Sequence, residues 1–491
     1  MAKEQVGASI VEIITESLYD KPIVIFREYV QNCADSLASV QENEFVDDLQ
    51  IQIWEKQGNL YFLDNGIGIA EEAFVSTMSS IANSAKTRHK NIGYKGIGRL
   101  SGIPYCQRLT FINILDYANG KYQVYTIYGQ KYRDLKKSDK LNDLDFSDLM
   151  KEISQNEEYL DSHALSKLIA NHSSLFNRRN TGFLVILNEI SPVLYAAINE
   201  KSFLNSLSWL LPVPFQDELL SSNDPSHSAD LFSDLSTEPA FDGNSVIPAR
   251  SFNIFYNEQR IERPISQKML RQYLCKSNLG KYAVCVHTFS SSGIAIDKKN
   301  PFSGLRIYYD NILLCDESEL IPALQQFGMI SHTVNETIQA IRGIGAVIYI
   351  VDKVSISTNA RRTFIDVTDE DALDFLNLIG VFVETVFQTR YALSKYFSAQ
   401  RNANASHDNL ERLREKAEES LVQLASQDVR ISEPKDAKED FGKLSETEKK
   451  RVIKSTISKC VNDKIKRYID QIADFNLETC IEDFMTWLKV N

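Results

Sequence analysis

The stretch IVIFREYVQNCADSL, residues 23–37, decides how the chain is interpreted. Its apolar residues recur at intervals of three and four, which predicts an amphipathic helix. Glu28, Asn32 and Asp35 then lie along one stripe, about one turn apart. A carboxylate in such a stripe can act as general base toward a water molecule, and a side-chain amide can offer its oxygen to Mg²⁺. The alternative is an ordinary solvated polar face.

A second motif follows two predicted strands. Residues 49–63, LQIQIWEKQGNLYFL, alternate in polarity around a QGN turn, so we expect a hairpin. It runs into DNGIG. Asp64, at the strand end, can accept a hydrogen bond from an exocyclic amine such as that of adenine, while Gly66 and Gly68 let the backbone approach a flat ligand. The alternative is a common Asn-Gly turn.

The third motif is a glycine-rich loop. Residues 93–98, GYKGIG, lead into the apolar segment RLSGI. Glycines let phosphate oxygens approach backbone N–H groups, and a helix N-terminus adds a favourable dipole. The pattern is not the dinucleotide fingerprint, which needs a preceding strand and a tight βαβ unit, and no GxxxxGK[ST] P-loop occurs. Alone, it is weak evidence for a phosphate site.

In combination, the order ExxxN, DxGxG and GxxGxG resembles the GHKL superfamily of ATPases, which includes gyrase, MutL, histidine kinases and the heat-shock protein 90 chaperones. The segments LYDKPIVIFREYVQNCADS, LDNGIGI and SSIANSAKTR are most similar to the chaperone branch. The resemblance implies an α+β protein whose N-terminal domain is a GHKL (Bergerat) α/β sandwich. Its mixed sheet would be covered on one face by helices, with ATP and Mg²⁺ between helices and sheet under a lid.

The resemblance also implies a role for each motif residue. Glu28 would be the base that activates the attacking water, Asn32 would hold Mg²⁺, and Asp64 would bind the adenine amine. The remaining residues expected to contact the nucleotide are Asp35, Gly66, Gly68, Ser84 and Lys86 in the lid, Gly93, Lys95, Gly96, Ile97, Gly98, Arg99 and Thr181. The family ends its site with Gly-Thr, whereas this chain has Thr-Gly, so the register of Thr181 stays open.

In GHKL ATPases of the chaperone, gyrase and MutL type, a second domain supplies a cation to the γ-phosphate. The segment VDKVSISTNARRTF resembles the chaperone segment and favours Arg361, with Arg362 as its neighbour. Lys353, or Lys298 and Lys299, would instead match the lysine of gyrase and MutL. Such a cation stabilises the charge that develops on the transferring phosphoryl group. For each residue the alternative is a surface ion pair.

Composition divides the 491-residue chain into regions. We expect the ATP-binding domain over residues 1–212, with a polar and solvated helical insertion at 134–180, and an acidic linker at 213–249. A mixed α/β domain, similar to a transducer or middle domain, is expected at 250–367, and a helical C-terminal region at 368–491. Leucines between 410 and 424 predict a short coiled coil or hairpin. The apolar face of the last helices predicts either intrachain packing or a dimer contact.

Overall composition limits the partners. The net charge of −12 argues against broad nonspecific binding of nucleic acid, although a local basic surface is not excluded. Because no run of eighteen apolar residues and no leader occurs, we expect a cytoplasmic protein that does not contact membranes. The seven Cys residues form no CxxC pair and are expected to be reduced, partly buried thiols. No His precedes Glu28, which disfavours histidine phosphotransfer.

The expected function is an ATP-driven conformational machine, and three hypotheses for it stay open. The first is a heat-shock protein 90-like chaperone ATPase that dimerises and remodels protein clients. The second is a DNA-associated ATPase like MutL or the MORC proteins, in genome maintenance or phage defence. The third is an ATP-binding scaffold with negligible turnover. The acidic charge and the chaperone-like first motif favour the first hypothesis, whereas the short C-terminal region leaves the second open.

Overall fold

The computed structural model describes residues 7–12, 21–41, 48–80, 97–157, 162–215, 251–264, 273–289, 303–359, 364–368, 370–402, 406–424 and 428–429. Within these ranges the chain forms an eight-stranded sheet and a six-stranded sheet. Each sheet has a hydrophobic core of its own. The mixed helix and sheet content confirms the predicted α+β class.

The eight strands of the first sheet are β1 (Gln50–Lys56), β2 (Asn59–Asp64), β3 (Cys106–Asp116), β4 (Lys121–Tyr128), β5 (Ser154–Glu157), β6 (Gly182–Ile190), β7 (Asn253–Tyr256) and β8 (Gln259–Arg260). Their order is β5-β4-β3-β6-β2-β1-β7-β8, and every pair is antiparallel except β1 with β7. The predicted hairpin is confirmed as β1 and β2. Gln57 and Gly58 form its turn with positive φ, as a tight two-residue hairpin turn requires.

The helices of this domain are α1 (Ser9–Glu12), α2 (Val24–Gln41), α3 (Phe74–Ser79), α4 (Gly129–Lys137), α5 (Phe146–Ile153), α6 (Ser162–Leu168), α7 (Pro192–Ile198) and α8 (Phe203–Leu210). A 3₁₀ helix spans Gly98–Tyr105. The predicted amphipathic helix is confirmed as α2. Its apolar stripe is buried because Phe26, Val30 and Leu37 pack against strand residues such as Phe62 in the first core.

The insertion at 134–180 differs from the solvated excursion that we expected. It contains β5, which extends the sheet beside β4, and α5, whose Leu149 and Ile153 are fully buried in the first core. Its later part covers the opposite face of the sheet, where Ile169 and Phe176 join a separate apolar cluster. The first sheet is therefore covered on both faces. Apolar residues at helical spacing within these polar segments are sufficient to bury one side of each short helix.

The second sheet consists of β9 (Tyr273–Leu279), β10 (Ala283–Phe289), β11 (Gly304–Tyr309), β12 (Ile312–Asp316), β13 (Gly345–Ile350) and β14 (Asp428–Val429), in the order β12-β11-β13-β10-β9-β14. Its helices are α9 (Glu317–Gln326), α10 (Val334–Ile341), α11 (Glu370–Gln400) and α12 (His407–Leu424). The predicted mixed α/β second domain is confirmed.

Two expected boundaries are wrong. β7 and β8 belong to the first sheet, because β7 pairs with β1, so the second domain does not begin at residue 250. The helices α11 and α12 are part of the second core rather than a separate region, since Phe375, Phe382 and Leu421 are buried in it. The predicted hairpin of helices is confirmed by the packing of α11 on α12. The chain from 216 to 250, which holds most of the expected acidic linker, and from 430 onward lies outside the described residues.

α11 is the one helix within the described ranges whose length and apolar composition would suit a membrane span. Of its most apolar window, 56% is buried inside the protein. That burial is typical of a core helix, and α11 packs on the second sheet. Four cysteines, Cys33, Cys106, Cys285 and Cys315, are buried free thiols, as expected for that group.

The two domains meet around the fully buried side chain of Arg263. Its guanidinium donates to the carbonyl of Leu211 at 2.9 Å and to the carbonyl of Asn311 at 2.8 Å. It also lies 4.2 Å from the centre of the Tyr308 ring. Tyr308 in turn donates to the carbonyl of Trp209 in the first domain. This set of contacts is called the Arg263 junction below.

Candidate functional site

Helix α2 carries the carboxylate that was expected to act as base. The Glu28 side chain is only 8% exposed, and its Oε1 accepts hydrogen bonds from Arg27, with Nη2 at 3.2 Å. Its Oε2 lies against Gly98, where an added Cβ atom would collide with it. Asn32 is partly exposed one turn later, and Asp35 is buried after it. α2 therefore presents Glu28 to the end of the glycine-rich loop.

The 3₁₀ helix that follows the glycine-rich loop is fastened to α2 by Tyr29. The Tyr29 hydroxyl donates to the Arg99 carbonyl at 3.1 Å and accepts from the Gly102 N–H at 3.0 Å. Complete burial raises the pKa of Tyr29 well above its usual range, so it stays protonated. These two hydrogen bonds of Tyr29 hold the start of the 3₁₀ helix, including Gly98, beside Glu28 on α2.

Arg99 was expected to contribute a backbone N–H. Its side chain is buried, and burial lowers the pKa of its guanidinium to about 10. The side chain lies in the interior of the first domain, where Tyr125 on β4 is near enough to interact with its charge. The Arg99 carbonyl accepts the hydrogen bond from the Tyr29 hydroxyl.

Asp64 ends β2 as a carboxylate that is 1% exposed. Its Oδ1 accepts two hydrogen bonds, from the Ser36 hydroxyl at 3.0 Å and from the Gly66 N–H at 2.9 Å. Gly66 is required because a Cβ atom there would run into Ser36 Oγ, into the backbone of Ser36 and into Asp64 itself. The glycine lets the DNG turn lie directly against α2.

The rest of the DNGIG turn is held from the sheet. Gly68 has a φ of +67°, a conformation that favours glycine. The Asn113 side chain, on β3, pairs with the backbone of Ile69, donating to its carbonyl at 2.7 Å and accepting from its N–H at 2.9 Å. The Thr181 hydroxyl donates to the Gly66 carbonyl at 2.8 Å. Thr181 thus reaches the turn but bonds to its backbone rather than to Asp64.

Several predicted residues lie outside the described ranges: Ser84, Lys86, Gly93, Lys95, Gly96, Lys298, Lys299, Arg361 and Arg362. Lys353 is described, and it forms an ion pair with Asp310 in the β11–β12 turn. Because that turn belongs to the second domain, the ion pair of Lys353 lies within that domain, as the ion-pair alternative predicts.

Sequence reasoning missed three residues that shape the site. Ser36 was not considered, although it lies one turn after Asn32 on the same helix. Asn113 could not be identified because it is an isolated polar residue in an apolar strand, FINIL, with no motif around it. Arg27 was not considered, although it is 4% exposed and pairs with Glu28. A polar residue next to a motif residue was the available signal for Ser36 and Arg27.

Comparison with known proteins agrees with this geometry. Residues 23–159 match the family described as "Histidine kinase-, DNA gyrase B-, and HSP90-like ATPase". These residues form a GHKL-type domain. The match begins next to α2 and ends at β5, so it contains Glu28, Asn32, Asp64 and the glycine-rich loop.

Two relatives are similar to about a fifth of this chain. The "Chaperone protein HtpG" of Polaromonas sp. is 27% identical over 125 residues, which cover 21% of this chain and 20% of the relative. The "Heat shock protein 75 kDa, mitochondrial" of Bos taurus is 27% identical over 119 residues, which cover 20% of this chain and 17% of the relative. The chain thus matches about a fifth of the length of either relative.

The residues present fit ATP and Mg²⁺. Asp64 is a buried acceptor of the kind that an exocyclic amine needs, and the absence of a Cβ at Gly98 leaves backbone accessible beside Glu28. Within the described ranges, no three His, Cys, Asp or Glu side chains are grouped to hold a metal ion by themselves. Mg²⁺ in nucleotide sites is commonly bound by one or two protein oxygens together with phosphate oxygens and water.

Proposed function

We propose that the GHKL-type domain binds ATP with Mg²⁺ and hydrolyses it to ADP and phosphate. The observation that carries the proposal is that two buried carboxylates lie at separate points along α2: Glu28 on the helix itself, and Asp64 at the end of β2, which contacts the helix through Ser36. Ser36 follows Glu28 by eight residues, about 12 Å along the helix axis at 1.5 Å per residue. Recognition of the base and attack on the terminal phosphate would then take place at two separate points beside the same helix.

Each residue has a distinct task in this proposal. Asp64 accepts the hydrogen bond of the adenine amine, and Gly66 and Gly68 shape the turn beneath the base. Glu28 takes the proton of the attacking water. Arg27, bonded to Oε1, orients that carboxylate with Oε2 toward the end of the glycine-rich loop. Asn32 would hold Mg²⁺, which when bound neutralises phosphate charge.

The wider role follows the chaperone-like likeness. We propose that the protein is a heat-shock protein 90-like ATPase of the cytoplasm that acts on protein clients as a homodimer, with Arg361 reaching the γ-phosphate from the second domain. The named relatives, a chaperone and a heat shock protein, support this choice over a DNA-associated role. The proposed partner class is protein, and DNA is tested below as the competing stimulant.

The decisive experiment measures ATP turnover and nucleotide binding for the wild-type protein, Glu28→Ala and Asp64→Asn. We expect wild-type turnover, a loss of about 10²- to 10⁴-fold with binding retained in Glu28→Ala, and loss of binding in Asp64→Asn. Glu189→Ala, at an exposed residue of the same domain, is the control and should change neither quantity.

Two outcomes would contradict the proposal. Normal ATP binding by Asp64→Asn would show that the base lies elsewhere, and normal turnover by Glu28→Ala would remove its role as base. Unfolded protein and duplex DNA are added separately to the wild-type reaction. Stimulation by unfolded protein supports the chaperone role, whereas stimulation by DNA alone would replace it with the DNA-associated role.

A further inference from the structure

We propose that Ser36 is the positioning residue that gives the site its preference for adenine, by fixing the orientation of the Asp64 carboxylate. This inference rests on the proposed function, because it concerns how the same site recognises the base of ATP. Ser36 would touch Asp64 and not the reacting phosphate.

The first argument is the hydrogen bonding of Asp64. Both described donors, the Ser36 hydroxyl and the Gly66 N–H, bond to the same oxygen, Oδ1. A carboxylate with two donors on one oxygen cannot rotate about its side-chain bonds without breaking one of them. The second oxygen, Oδ2, is therefore held in one direction, and a hydrogen bond depends steeply on direction.

The second argument is the position of the Thr181 hydroxyl, which the resemblance predicts near the nucleotide. Its Oγ1 donates to the Gly66 carbonyl rather than to Asp64. Ser36 supplies a hydroxyl from the opposite side, from α2, at 3.0 Å from Asp64 Oδ1.

The third argument is the packing that the contact requires. At Gly66, a Cβ atom would occupy the position of Ser36 Oγ, and the Ser36 backbone lies within 2.8 Å of that Cβ. The turn and the helix therefore approach each other closely enough for a short serine side chain to reach the aspartate. A longer polar side chain at position 36 would not fit in the same space.

The consequence is a specific loss on removal of the hydroxyl. In Ser36→Ala, Asp64 keeps the Gly66 N–H but loses the hydroxyl that holds its Oδ1 from α2, so its carboxylate is oriented less firmly and its bond to the amine weakens. We expect the Kd for ADP to rise about tenfold, the usual effect of one hydrogen bond to a charged group. Purine riboside 5′-diphosphate has no exocyclic amine, so its Kd should change less than about twofold.

The experiment measures the Kd of both diphosphates by calorimetry for the wild type, Ser36→Ala and Ser138→Ala. Ser138→Ala is the matched control, because it removes a serine hydroxyl of the same domain that bonds to the carbonyls of Asp134 and Leu135 at the end of α4. It should leave the ratio of the two Kd values at its wild-type level. Thermal unfolding of each variant confirms that the fold is retained, and Ala at position 36 suits a helix.

The outcomes separate this inference from the proposed function. If the wild type binds neither diphosphate, the proposed function fails first. If the wild type prefers ADP and Ser36→Ala keeps that preference, the positioning role of Ser36 is refuted while ATP binding stands. A parallel loss of affinity for both diphosphates in Ser36→Ala would also refute it, since that result indicates a purely structural role.

Discussion

The DNGIG turn and the Arg263 junction both bury polar groups, but they do so in opposite ways. In the turn, the charged group is a carboxylate that receives a hydroxyl and a backbone N–H, and glycine makes room for them. At the junction, the charged group is a guanidinium that donates to two backbone carbonyls and lies over an aromatic ring. Arg263 has no carboxylate partner among the described residues.

This difference indicates which of the two buried charged groups is arranged to bind a ligand. In the turn, the two described donors bond to Oδ1 and fix the orientation of the carboxylate, which suits recognition of a ligand. The junction uses the planar fork of arginine to satisfy carbonyls from both domains, a geometry that lysine cannot reproduce. The first arrangement suits a ligand that enters from solution, whereas the second joins two parts of the same chain.

The largest effect is expected at the junction. Arg263→Ala leaves the carbonyls of Leu211 and Asn311 buried without their donor and opens a cavity, so stability should fall by about 3–5 kcal/mol. Urea unfolding measures this loss. Arg260→Ala is the control, since its ion pair with Glu262 is half exposed and worth less than about 1 kcal/mol. A loss of stability below about 1 kcal/mol in Arg263→Ala would mean that the junction contributes little to stability and would contradict this prediction.

Nucleotide binding separates the two regions in the same variant. Because Arg263 does not touch the DNGIG turn or α2 in the described contacts, ADP affinity in Arg263→Ala should stay within about twofold of wild type, a change of about 0.4 kcal/mol. Strong loss of binding by a folded Arg263→Ala protein would show that the two regions act together.

A second effect concerns a buried group that must stay neutral. His287 lies in the second core and bonds through Nε2 to the Leu424 carbonyl at the end of α12. Burial lowers its pKa from 6.5 to about 4. The unfolded chain therefore binds the proton more readily between these values, so stability is present above pH 6.5 and is lost as pH falls toward 4.

The measurement compares urea unfolding at pH 7 and pH 5, where the expected loss from His287 is about 2 kcal/mol. In His287→Gln, which lacks the titrating group, that part of the pH dependence should disappear. If His287→Gln and wild type lose the same stability between the two pH values, His287 is not the source.

The last comparison replaces glycine by alanine in two turns, and Gly58→Ala gives the smallest expected loss of stability. Gly68→Ala combines a positive φ with a Cβ atom 2.8 Å from Asn113 Oδ1. Gly58→Ala, in the β1–β2 turn, has a similar φ but no heavy atom within 4 Å of the added Cβ. Gly58→Ala should lose about 1–2 kcal/mol from backbone strain alone. Gly68→Ala should lose more and should also weaken ADP binding, as unfolding and calorimetry would show.

Equal losses of stability in the two alanine variants would contradict this comparison. They would mean that Asn113 moves aside freely and that the turn is not held as closely as its hydrogen bonds indicate.

Local patterns in the chain were sufficient for the helix α2, the β1–β2 hairpin, the mixed second domain and the three motifs. Each depends on residues close in sequence: a helical period, an alternating strand or a glycine that allows a turn. The resemblance of the motifs also predicted the GHKL-type domain. The polar insertion was misjudged because one buried side of a short helix is hidden among charged neighbours.

By itself, the amino-acid sequence determined which residues are proposed to carry the chemistry, because Glu28, Asn32 and Asp64 lie in short motifs whose spacing reflects local structure. Only the tertiary structure decided how they are supported. Ser36 meets Asp64 across 28 positions, and Arg263 meets Asn311 across 48. The strand β7 joins β1 from the other end of the domain. Contacts between distant residues form only when the helices and sheets pack, and no local period or motif encodes them.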